Sequence, residues 1–236
     1  KVRFLKRNEF RNSIDYAKNI VSLGTAGFIM QLTNSLVSIC CNHVLSIVGG
    51  DVYISVMTIV ASLRQMIETP IYAINEGTSP IISYNYGAKR PKKVIEAWIT
   101  MSVLALIYSL IAWSVILFAP KFLIGIFSSD KSLMIDTVPA MKLYFSAFIF
   151  MLFQYTGQTM FKSLNKKKQA IFFSILRKVI IVVPMTYMFP YVFHMGSNGV
   201  FMAEPVSNVI GGSLCFIVML LTVLPELKQM NSDLSS

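Results

Sequence analysis

Charge is the scarcest ingredient of this 236-residue chain: only 14% of its residues are Asp, Glu, Lys or Arg, and the acids number 11. Ordinary soluble domains carry about a quarter charged residues, so a soluble globular reading is excluded at once. Histidine is nearly missing, with His43 and His194 far apart, and the three cysteines, Cys40, Cys41 and Cys215, all fall within apolar runs. These positions offer no disulfide framework and no ligand set at metal-binding spacing. A nucleotide-binding P-loop and a Gly-x-Ser-x-Gly elbow are also lacking. Catalysis, ATP hydrolysis and metal or cofactor chemistry thus find no residues to carry them, and the chain reads as a non-enzyme.

What the chain has in abundance is apolar length. Hydrophobic residues make up 55% and the mean hydropathy is +0.63. A membrane helix needs roughly 20 apolar residues to cover a hydrocarbon core of about 30 Å. Six runs meet that length, at approximately 19–44, 52–84, 94–118, 134–161, 169–190 and 198–224, separated by turn signals such as Gly49-Gly50-Asp51, Gly87 to Pro91 and Asn165 to Lys168. The fold class is therefore an all-α integral membrane bundle of six transmembrane helices. Its main partner is the lipid bilayer. The net charge of +10 does not point to nucleic acid, because the basic residues sit in short clusters between apolar runs, as loop charges do in membrane proteins.

Those clusters also set an orientation. Lys1, Arg3, Lys6, Arg7, Arg11 and Lys18 precede the first run; Lys89, Arg90, Lys92 and Lys93 fill the second connection; Lys162, Lys166, Lys167 and Lys168 fill the fourth. The positive-inside rule makes these three regions cytoplasmic, so both ends of the segment face the cytoplasm of a plasma-membrane protein. Three parts follow: a basic leader over 1–18, which also has the spacing of a short amphipathic helix, the six-helix lobe over 19–224, and a cytoplasmic tail over 225–236. The polar start at Lys1 reads as an internal piece of a longer protein.

Polar residues inside the runs fall on shared helix faces when each residue is advanced by roughly 100°. Gly24, Gly27, Gln31, Asn34, Ser35, Ser38 and Asn42 share a side of the first helix, Glu204, Ser207, Asn208, Gly211 and Cys215 a side of the sixth. Small residues on such stripes serve close helix packing in the ordinary case. Intramembrane acids are different, because a charge there costs several kcal/mol and is retained for a reason. Glu68 has Arg64 one helical turn away, and Arg177 and Lys178 reach a similar depth from the fifth helix, so a structural charge cluster of Arg64, Arg177 and Lys178 is as good a reading of Glu68 as transport. Glu204 has no such partner in its own helix, precedes Pro205, and is the stronger functional candidate.

The run Gly77-Thr78-Ser79-Pro80-Ile81-Ile82-Ser83-Tyr84-Asn85-Tyr86-Gly87-Ala88-Lys89 resembles the end of the eighth helix and the following loop in the multidrug and toxic compound extrusion family. Gly157-Gln158, Leu164-Asn165-Lys166, Ser174-Ile175-Leu176-Arg177 with Pro184, and Gly199 through Pro205 resemble its tenth to twelfth helices in the expected order. The resemblance implies one six-helix lobe of a twelve-helix exporter, whose partner is the missing N-terminal lobe and which expels organic cations or other amphipathic small molecules in exchange for protons or sodium. Glu204 and Glu68 would be its acids, with Gln31, Asn34 and Asn208 as neutral liganding groups. Some sodium-coupled members carry an acid in the seventh helix where this chain has Gln31 and Asn34. Two other readings stand beside it. A lipid-linked saccharide flippase would line its cavity with Arg64, Arg177 and Lys178, and a membrane scaffold would have no aqueous cavity.

Overall fold

The computed structural model describes residues 10–128 and 130–233, and among them every regular element is helical. Helix α1 spans Phe10–Val48, α2 Gly50–Gly87 and α3 Pro91–Phe118. A short helix α4, Pro120–Gly125, leads to α5, Lys131–Tyr144, and α6, Phe148–Ser163. The chain ends with α7, Lys167–Tyr191, and α8, Ser197–Asp233. The leader expected over 1–18 lies partly outside the described residues, and α1 runs without a break from Phe10 through the point where the membrane run begins. The helix α8 likewise continues beyond Leu224 to Asp233.

Helix ends follow local chemistry. Gly50, at φ +68, takes the left-handed conformation between α1 and α2 that glycine adopts without steric cost. A Cβ on Gly49 would lie 2.6 Å from Ser197 Oγ, so the turn packs directly against the start of α8. Pro91 and Pro120 stand at helix starts, where a missing N–H costs nothing. Asp130 caps α5 by accepting from the Ser132 amide at 2.8 Å. Those hydrogen bonds hold its exposed carboxyl below the usual carboxylate range.

Among the described residues, four helices are long and apolar enough to cross a membrane: the 27–48 part of α1, α3, α7 and α8. The fourth apolar run, read as one helix from the sequence, is two: α5 and α6 meet at a 51° bend, and only taken together are they long and apolar enough for a span. The bend sits where Trp113 Nε1 donates to the Phe145 carbonyl at 3.0 Å, because a side chain that captures a backbone carbonyl breaks the helical ladder. The second apolar run of the sequence is α2, whose 38 residues have the length of a crossing, while Asp51, Arg64, Glu68 and Glu76 keep its hydropathy below that of the other spans. Pro70 and Pro80 lie inside α2 without ending it.

The bundle is organised around α6, which packs against α2, α3, α7 and α8. Two apolar cores result. One gathers Leu45, Val60, Leu63, Ile71 and Phe201; the other gathers Ile82, Met101, Met160, Phe161 and Met219. Outside, α3 exposes Ile99, Val103, Ile107, Leu110 and Ile111, the apolar exterior that a lipid environment selects.

Candidate functional site

Between the two cores lies a layer that is not apolar. On α7, Arg177 and Lys178 stand between Phe173 of one core and Val182 of the other. Both are buried, at 4% and 3% exposure. Consecutive residues of an α-helix diverge by about 100°, which would send these two cations to different surroundings. Here residues 176–182 form a π-helical turn, a local widening that recurs at functional sites. Both side chains then reach one acceptor. Lys178 Nζ donates to Glu204 Oε1 at 2.8 Å, and Arg177 Nη1 lies 3.4 Å from the same oxygen.

Glu204 belongs to α8, which carries its own π-helical turn at 208–212 directly after it. That turn brings Asn208 Oδ1 to Arg177 Nη1, which donates to it. A Cβ on Gly211 would meet the Arg177 side chain at 2.8 Å, and one on Gly212 would meet the Phe150 carbonyl oxygen at 2.5 Å. These glycines let α8 lie against α7 and α6 closely enough for Glu204 and Asn208 to reach the cations.

From α2, Arg64 closes the network: Nη1 lies 2.9 Å from Glu204 Oε1, and Nε donates to Glu68 Oε1. Two tyrosines complete it. Arg64 Nη1 also contacts Tyr144 Oη at 2.6 Å, and Tyr155 Oη donates to Glu68 Oε2 at 2.9 Å. Three cations and two carboxylates are thus joined, with a formal excess of one positive charge. Each such group costs about 2.5–3.5 kcal/mol at a bilayer centre on insertion scales, and removing one partner of a buried pair costs more still. The cluster survives in apolar surroundings because its charges are paired.

The layer opens onto an open-sided cavity of about 750 Å³. The polar face of α1 forms one wall, with Gln31, Asn34, Ser38 and Asn42; the opposite wall presents Arg64, Glu68, Tyr144, Tyr155, Arg177 and Lys178. Gln31 is exposed and Asn34 partly buried, without a direct bond to the charges. Glu204 and Asn208 do not line the cavity but stand behind the cations that do. The cavity lining therefore carries four positive groups, Arg64, Arg177, Lys178 and Lys162, and one negative, Glu68. Two polar atoms in it, Arg177 Nε and Gln154 Oε1, are buried with no hydrogen-bond partner.

Sequence reasoning singled out Glu204, Glu68, Asn208, Arg64, Arg177 and Lys178, and the structure brings them together with Gln31 and Asn34 across the same cavity. The partners it missed are Tyr144 and Tyr155, 80 and 87 residues from the groups they bind, for which no periodicity gives a signal. Three further contacts lie outside this network, the first at Lys162, which also lines the cavity. Lys162 bonds Glu76, while Lys166 and Tyr86 Oη both donate to Glu226, just past the apolar run of α8. Burial there opposes ionisation of Glu226, but the donors from Lys166 and Tyr86 outweigh it and hold its carboxyl below the usual range. Among the described residues there is no group of His, Cys, Asp and Glu that could hold a metal ion.

Residues 27–188 match the family model MatE. No curated protein sequence matches the chain. Solved structures do: a MATE protein in a bent conformation superposes with a TM-score of 0.82 at 18% identity, covering 99% of this chain and 49% of that one. An outward-facing multidrug resistance MATE transporter of the MOP superfamily gives 0.82 at 18% identity, over 92% and 48%. A MOP superfamily transporter from Pyrococcus furiosus Vc1, described by a binding pocket of reverse polarity that suggests a different function, gives 0.81 at 19% identity, over 92% and 48%. The likeness shows a common fold, and the chain spans about half the length of each of these structures.

Proposed function

Because this chain belongs to the MatE family, the multidrug and toxic compound extrusion transporters, we propose that it forms one lobe of an ion-coupled exporter of amphipathic small molecules. The observation that carries this reading is the buried network of Arg64, Glu68, Arg177, Lys178 and Glu204 beside a cavity that the lobe leaves open on one side. A stable core gains little from five ionised groups. A transporter gains a set of contacts that can be exchanged as the cavity changes occupancy. The second lobe would cover the open side, and the two would rock about the cavity to expose it alternately to each face of the membrane.

Coupling follows from competition. A proton or sodium ion that engages Glu204 or Glu68 takes over an oxygen now held by Arg64 or Lys178, and the freed cation is offered to the cavity or to the other carboxylate. Substrate on the cavity side and ion on the Glu204 side then act on one network. The basic loops at 89–93 and 162–168 support a plasma-membrane orientation with both ends of the segment cytoplasmic. With no acid at Gln31 or Asn34, sodium binding of the seventh-helix type has no support, and the coupling ion of this reading is a proton or sodium engaging Glu204 or Glu68. An organic cation, the substrate the family resemblance suggests, would reach Glu68, the one acid on the cavity wall, only as Arg64 and Tyr155 release its oxygens, with Gln31 and Asn34 as neutral ligands.

A second reading, a flippase for lipid-linked saccharides, draws support from Arg64, Arg177 and Lys178 on the cavity wall. The test is reconstitution of the full-length transporter in proteoliposomes with an imposed proton or sodium gradient. Dye export should collapse in Glu204→Gln and fall in Glu68→Gln. If both variants, correctly inserted, exported dye as well as the parent, the coupling role of these acids would be refuted.

A further inference from the structure

The polarity of the cavity wall carries the reading further. We propose that this lobe binds the anionic end of its substrate, a single oxyanion of phosphate, carboxylate or sulfonate type on an otherwise apolar molecule. The proposal rests on the transport reading above and specifies its substrate class.

Four observations converge on it. Arg64, Arg177 and Lys178 all face the cavity, whereas Glu204, the acid that balances them, stands behind them. The one acid on the wall, Glu68, is taken at both oxygens, by Arg64 at Oε1 and by Tyr155 Oη at Oε2, 2.9 Å away. An incoming organic cation therefore meets no free carboxylate and four like charges, the fourth being Lys162, itself paired with Glu76. An incoming oxyanion meets the formal excess of one positive charge that the network leaves uncompensated. Arg177 also has a donor to spare: Nη1 is shared by Glu204 and Asn208, and the buried Nε has no partner. Guanidinium groups present planar, multiple donors suited to carboxylate and phosphate oxygens.

The rest of the cavity fits the same molecule. Tyr72 packs against Tyr155 as a tilted ring pair with centroids 4.7 Å apart, and Met57 and Val37 add apolar surface to the lining. Opposite, Gln31, Asn34, Ser38 and Asn42 supply uncharged donors and acceptors. An amphipath with one anionic end would set that end among the cations and its apolar body along the aromatic side.

A matched pair of probes tests this: dansyl-aminohexanoate and the dansyl-aminohexyl trimethylammonium ion, which share a fluorophore and differ in the sign of the head group. Binding to the full-length transporter in detergent and uptake into proteoliposomes are measured for both, with flipping of a fluorescent phosphatidic acid as a third arm. The carboxylate probe should bind at least tenfold more tightly than the ammonium probe and be displaced by hexyl phosphate. Lys178→Gln and Arg177→Gln should each weaken it about tenfold, with Lys178→Arg restoring most of the loss. Displacement by hexyl phosphate is read on the unaltered protein, so it decides the matter even where a variant fails to fold. Movement of the phosphatidic acid alone supports the same oxyanion chemistry with a lipid headgroup as its source. Preference for the ammonium probe, with export intact, overturns the proposal and leaves the transporter reading standing. If none of the three probes binds or moves, the transport reading fails and takes this one with it.

Discussion

Replacing Glu204 with glutamine removes one charge while conserving volume and leaves three cations answered only by Glu68. The formal charge of the network rises from +1 to +2. Lys178 Nζ and Arg64 Nη1, 2.8 and 2.9 Å from the lost oxyanion, would then face a neutral amide. Breaking a buried pair in this way costs about 3–5 kcal/mol, and for a chain of this size each kcal/mol moves the unfolding midpoint by about 2–4 °C, so Tm should fall by roughly 6–20 °C. The companion Lys178→Met takes the charge to zero and should also destabilise. In the double variant Glu204→Gln/Lys178→Met the charge returns to +1, and the loss should be less than additive, with a coupling of about 1.5–3 kcal/mol. The protein carries its own probe for the assay. Cys41 and Cys215 are 3% and 0% exposed, so a thiol-reactive fluorogenic dye reports their exposure as the purified transporter is heated. If Glu204→Gln melted within about 2 °C of the parent, or the two losses summed, the network would not be holding the lobe together as described.

Three further outcomes are expected. Gly212→Ala places a methyl group 2.5 Å from the Phe150 carbonyl oxygen, a backbone atom that cannot swing aside; it should lower stability by about 1–3 kcal/mol, whereas Gly27→Ala, with no atom within 4 Å, should leave the same melting curve unchanged. Single cysteines at Ser38 and Asn42, in a background lacking Cys40, Cys41 and Cys215, should react with a membrane-impermeant thiol reagent, as residues lining an aqueous cavity; uniform protection would favour a scaffold with packed polar faces. At the other end of the bundle, the Glu226 carboxyl is held below its ordinary value, so its contribution is fully present above the unfolded value of about 4.5 and is lost as pH falls through the folded one. The difference in melting temperature between the parent and Glu226→Gln should therefore shrink on acidification below about pH 4.5, and a gap that widened there would contradict the Lys166 and Tyr86 contacts.

Much of this architecture is written in the sequence as apolar length, because the bilayer sets a minimum that six runs meet and loops do not. The break between α5 and α6 is not, since Phe145 is neither proline nor glycine and the cause is an indole from α3. The π-helical turns leave no mark either: Leu176 to Val182 reads as an ordinary apolar stretch with two cations in it. Of the charge cluster, the local half was legible, because Arg64 and Glu68 sit one turn apart on one helix. Its other half depends on how α8 crosses α7, and nothing in the spacing of Glu204 announces that three cations from two other helices would converge on it. The orientation of the polar stripe on α1 was legible as periodicity, although what it faces is visible only with α2 and α6 in position.

The two π-helical turns have a mechanical consequence. A widened turn behaves like a dislocation in a crystal: it can migrate along the rod by one position at the expense of a few local hydrogen bonds, leaving the rod continuous on either side. Each step of such migration re-indexes one residue, turning its side chain by about 100° with no change at the ends of the helix. Residues 176–182 hold Arg177 and Lys178, and residues 208–212 begin with Asn208. The two helices that carry Arg177, Lys178 and Glu204 are thus also the ones with slack built into their winding, and one notch of slip would be enough to pass a cation from one partner to the next while the apolar surface against the lipid stays where it is.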